Sequence, residues 1–190
     1  MSKVTPVNES LANFNDPVKL AAFSMEQLKS YLENKDQLPL PTSEEIGRWS
    51  LSEQELDRCA KEFVLMGAIG IAVTVMKNKP FEFYSEFIRA LAGRLSSPMF
   101  GFVSLTGSEE LIHVIEKYIE YLETSMVEFS HMYTNRVFDG NQHEVAIIVA
   151  GLWRRAFDLI MATMDVSKQY FIGCMADELL QNAKPNTDTK

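Results

Sequence analysis

The 190-residue chain has only two cysteines, and Cys59 and Cys174 show no CxxC spacing. That excludes a disulfide framework and the common zinc motifs, and it fits a reducing compartment. Both residues fall in stretches that read as helix, where a free thiol behaves as a small apolar side chain. Basic residues are also in short supply. Eighteen Lys and Arg face 26 Asp and Glu, a formal net charge of −8, and the one adjacent basic pair, Arg154-Arg155, sits in an apolar stretch. Such a balance opposes nucleic acid and anionic membrane, whose binding depends on neutralising phosphates.

Several motifs are missing altogether. There is no GxxxxGK[ST], GxGxxG, GxSxG, HExxH or DDxxD in the sequence, so the usual local signatures of nucleotide, hydrolase and metal chemistry do not occur. The first sixteen residues hold no apolar run of leader length. Nor is there a long hydrophobic run, because Phe63 to Met76 carries no charge over only 14 residues, short of the roughly 18–20 needed to cross a bilayer. It reads as a buried helix in a cytoplasmic protein. Sustained strand alternation, internal repeats and low-complexity tracts are likewise missing.

What remains is helical. Asp16-Pro17 reads as a helix start, with Asp as N-cap and Pro at the first helical position. Thr42 with Glu45 and Ser52 with Glu55 have capping-box spacing, which predicts a short helix over 43–48 and a long one from 53 to about 77. The connector LPLPTSEEIGRWS is too short and too apolar to divide two domains, and reads as a strap across the bundle. Gly67 and Gly70 would each cost about 1 kcal/mol in a helix interior, and a close helix crossing is the usual compensation. Tyr84, Phe87, Ile88, Leu91 and Leu95 mark the face of the next helix, while the segment 96–107 fits either a short helix or an apolar loop.

From Ser108, apolar residues at 111, 115, 118, 122, 129 and 132, with Ser125 between them, keep a 4,3,4,3 spacing. This predicts one long helix reaching Met132. Asn141 and Glu144 predict another from about Gln142 to Met164, and Asp165 a last one to about Asn182. The expected architecture is an all-α, single-domain bundle of about six to eight helices over 16–182, with a flexible segment 1–15, a disordered tail 183–190 and a largely apolar central helix. Val145 to Met164, apolar on most of its circumference, is the expected centre.

Glu110-x-x-His113 and Glu128-x-x-His131 match the metal motif of helical bundles. On a single helix they would lie about 27 Å apart on the polar side, so they are weak surface candidates and no metal or other cofactor is expected. Arg154 pairs naturally with Asp158 at i,i+4. Arg155 falls beside the core edge and requires a carboxylate from a neighbouring helix or an anionic ligand.

Three functional readings follow. The first is a non-enzymatic, acidic protein-binding module acting as inhibitor, neutralising partner, chaperone or assembly subunit. Its partner would be another protein, basic or with an apolar groove, and a homodimer is compatible with it. The second is a ligand-binding or sensory bundle in which Arg155 and Arg154 meet an acidic ligand beside Phe87 and Trp153. The third is a helical metalloprotein.

Overall fold

A computed structural model describes residues 15–34, 39–96, 108–138 and 146–182, without the side chains of 31–34, 146–147 and 174–182. Among these residues the fold is all-α, with seven helices: α1 (Pro17–Asn34), α2 (Ser43–Trp49), α3 (Glu53–Asn78), α4 (Phe81–Leu95), α5 (Ser108–Thr124), α6 (Met126–Val137) and α7 (Ala146–Asn182). The two terminal segments, the region 97–107 and the expected cap at Asn141 and Glu144 lie outside the described residues.

Helix starts follow the polar side chains that satisfy free N–H groups. The amides of Val18 and Lys19 donate to Asp16 Oδ1 at 2.9 and 3.0 Å. Thr42 with Glu45 and Ser52 with Glu55 form complete capping boxes, each hydroxyl accepting from the third residue's amide while the glutamate reaches back. These local bonds, each pair satisfying two otherwise unpaired donors, set where α1, α2 and α3 begin. The turn between α2 and α3 uses Ser50 in the left-handed region, at φ 52°.

The centre of the bundle is α3, which corrects the expectation that Val145 to Met164 would hold that place. Every residue from Leu65 to Val75 is buried, and α3 touches α1, α4, α5, α6 and α7. An 18-residue window of α3 has mean hydropathy 1.7, long and apolar enough to span a bilayer by composition, and 78% of it is buried inside the bundle. A helix enclosed on all sides must be apolar all round, which accounts for this composition.

Helix α7 instead lies on one flank. Leu152, Ala156 and Thr163 face inward, whereas Met161, nearly opposite, is 44% exposed. The α3–α7 crossing is close because α3 presents glycine there. A Cβ at Gly70 would sit 2.1 Å from Thr163 Oγ1 and 2.6 Å from the Ile160 carbonyl oxygen, and one at Gly67 would meet Leu28 Cδ1 of α1 at 2.4 Å.

Two helix boundaries differ from expectation. The predicted single helix from Ser108 to Met132 is broken at Ser125, which is extended at φ −158° and ψ 103° and caps α6 by accepting from the Glu128 amide. The Tyr118 and Phe129 rings then meet at 5.0 Å across the break, so α6 folds back along α5. Conversely, Asp165 starts no new helix: α7 runs through it for 37 residues.

Candidate functional site

Near its N-terminal end, α3 carries a polar layer inside the bundle. Glu62 is 3% exposed, and its Oε1 accepts from the Tyr118 hydroxyl of α5 and, at 2.7 Å, from Arg136 Nε of α6. One turn earlier, Cys59 Sγ lies 3.9 Å from the Tyr133 hydroxyl. Cys59 is a free thiol, and burial pushes it up to about 11. Burial likewise holds the Tyr118 and Tyr133 hydroxyls well above the usual phenol range, with the Glu62 carboxylate adding to the effect on Tyr118. Glu62 and Arg136 form the ion pair of this layer, and the Tyr118 hydroxyl donates to the same carboxylate.

Arg155 meets its charge requirement on the strap. Its guanidinium donates to Glu45 Oε1 of α2 and, at 3.4 Å, to the Leu40 carbonyl, which pins the connector to α7. The hydrogen bond from Arg155 holds the Glu45 carboxyl below its ordinary value, helped by the Thr42 backbone. Arg154 is exposed and pairs with Asp158 at 3.0 Å. Phe87, grouped with these residues as a ligand contact, is fully buried in the core and cannot line an open site; a Phe at an a-like position of an amphipathic helix is spent on packing. The structure therefore does not bring Arg154, Arg155, Phe87 and Trp153 together around one cavity.

The break at Ser125 changes the relation between the two Glu-x-x-His motifs. Instead of lying five turns apart on one rod, His113 and His131 line the same cleft between α5 and α6, of about 430 Å³, with Lys117, Tyr121, Glu128, Met132, Asn135 and Arg136. The two cations of the cleft are paired within the chain, Lys117 with Glu120 at 2.7 Å and Arg136 with Glu62, whereas Glu128 is exposed and carries no ion pair among the described residues. Among the described residues no three His, Cys, Asp or Glu side chains assemble as a metal set.

A second cleft, about 270 Å³, opens beside it where α6 begins. Met126, Val127, Ser130 and His131 line it together with Trp153 of α7. Behind it the rings of Phe129 and Phe157 flank Trp153 with centroids at 6.5 and 5.8 Å. The Trp153 indole Nε1 is shielded from water and has no acceptor. Val127 is 65% exposed and Met126 37%, so two adjacent apolar side chains stand at the surface where α6 begins.

Glu62, Tyr118, Tyr133 and Arg136 were not legible as a group, since a lone Glu in an apolar helix gives no periodic signal. The Ser125 break did have one: Ser125 and Glu128 stand at capping spacing. Compared with known protein families, curated proteins and solved structures, the chain matches none.

Proposed function

We propose that this chain is a non-enzymatic, cytoplasmic protein-binding module, an acidic helical bundle that acts by docking onto another protein as an inhibitor, neutralising partner, chaperone or assembly subunit. The observation that carries the reading is how charge and apolar surface coincide. In the α5–α6 hairpin six glutamates (109, 110, 116, 120, 123 and 128) stand against Lys117 and Arg136, which puts a formal −4 of the chain's −8 on thirty residues. The same hairpin exposes Met126 and Val127. Acidic fields of this kind raise association rates with basic partners, and exposed apolar residues supply the contact energy.

The buried polar groups support the same reading from the other side. Glu62, Tyr118, Arg136, Arg155 and Glu45 are spent on one another and on holding helices together. Buried ion-pair networks that hold helices together show this pattern of perturbed groups.

The test is light-scattering mass of the full chain combined with retention from a native lysate. The expected result is a retained protein that is released by raising salt. A chain that stays monomeric and retains nothing at low salt would contradict the reading.

A further inference from the structure

The protein-binding reading leaves open which surface docks and what it takes. The α6–α7 cleft is the place where apolar exposure and an aromatic platform meet, on a hairpin whose formal charge is −4. Val127 and Met126 form one wall and Trp153, stacked at 25° on Phe157, forms the other. Because the Trp153 N–H has no acceptor, the ring loses no hydrogen bond if it moves to accommodate a contact. Glu123 and Glu128 bracket Met126-Val127 in the chain, are exposed, and carry no ion pair among the described residues; Glu128 lines the adjoining α5–α6 cleft, which shares His131 with this one. The neighbouring Arg154 is taken by Asp158, so it offers no compensating positive charge.

Resting on that reading, we propose that this cleft docks a basic amphipathic segment of a partner protein, with one bulky apolar side chain lodged between Val127 and Trp153 and flanking Lys or Arg residues against Glu123 and Glu128. Charge selects this occupant. A second copy of the chain would bring two −4 hairpins together, and like charges across an interface are costly; an acidic segment would meet the same repulsion. Aromatic and branched apolar residues in a concave setting are the usual anchors for such a contact.

The test uses the full chain with Trp49→Phe, so that Trp153 alone reports by its emission, and a twelve-residue amphipathic peptide of Leu and Lys as probe. Binding should be saturable, weaken at least tenfold in Val127→Asp and in the double variant Glu123→Lys, Glu128→Lys, and be undetectable for the same peptide with Glu in place of Lys. Val127 is exposed and lies in the first turn of α6, where Asp suits the helix dipole, so the fold should survive; far-UV circular dichroism checks it. Equal binding by wild type and both variants would place the peptide elsewhere, overturning this surface and leaving the protein-binding reading intact. A Val127→Asp-sensitive dimer in sedimentation equilibrium would make a second copy the occupant and overturn the choice of partner. Peptide that fails to bind the parent chain also overturns the proposal, and lysate retention then decides whether the broader reading falls with it.

Discussion

Arg136 Nε lies 2.7 Å from Glu62 Oε1, joining α6 to the central helix across 74 residues of sequence. The arginine is 29% exposed and the glutamate 3%, so the pair runs from the floor of the α5–α6 cleft into the core. It fixes the inner face of the acidic hairpin and thereby the direction its outer face presents.

Removing the acceptor should be costly. Glu62→Ala leaves a guanidinium and the Tyr118 hydroxyl facing apolar surface, and the partial exposure of Arg136 lets it reach water, so the loss should be roughly 2–3 kcal/mol, below the 3–5 of a fully buried pair. Glu62→Gln keeps an acceptor and should lose less, and the double change Glu62→Leu, Arg136→Met should be milder than Glu62→Ala. Urea unfolding midpoints rank the three; a Glu62→Ala protein as stable as the parent would show the layer to be inert.

The two glycines of α3 should respond differently to the same methyl. At Gly70 the new Cβ meets the Ile160 carbonyl as well as Thr163 Oγ1, and backbone cannot step aside, so Gly70→Ala should cost about 1–3 kcal/mol despite its gain in helix propensity. At Gly67 the obstacle is the end of the Leu28 side chain, which can rotate, and Gly67→Ala should be near neutral. Thermal denaturation of both variants checks the order. Thr163→Ala should rescue Gly70→Ala only partly.

Ser125 should act as a true cap. Its hydroxyl accepts from the Glu128 amide at 3.3 Å, and Ser125→Ala should cost about 1 kcal/mol with faster amide exchange confined to the first turn of α6. A Ser125→Ala protein of higher stability would mean that the chain prefers the uninterrupted helix its apolar spacing suggests.

The Glu45–Arg155 bond should leave a pH signature. Glu45 has a lowered folded value against an ordinary 4.5, so its contribution is present above about 4.5 and is lost as pH falls through the folded value. The stability difference between the parent and Glu45→Gln should therefore be largest near pH 6 and shrink on acidification towards pH 3. A difference constant over that range would remove Arg155 from the account of the strap.

Local chemistry was the legible part of this fold. The caps at Asp16, Thr42 and Ser52 are short-range, each side chain reaching two or three residues along the chain, and they stand where the spacing places them. The break at Ser125 was hidden because the apolar stripe continues past it: Phe129 and Met132 hold their helical register on a second helix that packs on the same core. At Asp165 the opposite happened, since a capping residue in an amphipathic run imposes nothing unless the chain turns. The identity of the central helix was decided by tertiary contact, as α3 and the first half of α7 are similarly apolar and only the glycines at 67 and 70 mark α3 as the one approached closely by neighbours. Of the site residues, Arg154 found its i,i+4 partner as expected, while the partners of Arg155 and Glu62 lie 110 and 74 residues away, beyond any local pattern.

The most direct measurement is site-specific photocrosslinking in native lysate, with benzoylphenylalanine placed at Val127 in the cleft and, as a comparison, at Phe81, an apolar residue 76% exposed outside it. The expected result is a discrete adduct at 127, absent at 81, whose partner peptide is rich in Lys or Arg and which disappears when Glu123 and Glu128 are both changed to Lys. Adducts of equal yield at both positions, or an adduct at 127 indifferent to the charge reversal, would contradict the assignment of the acidic hairpin as the binding surface.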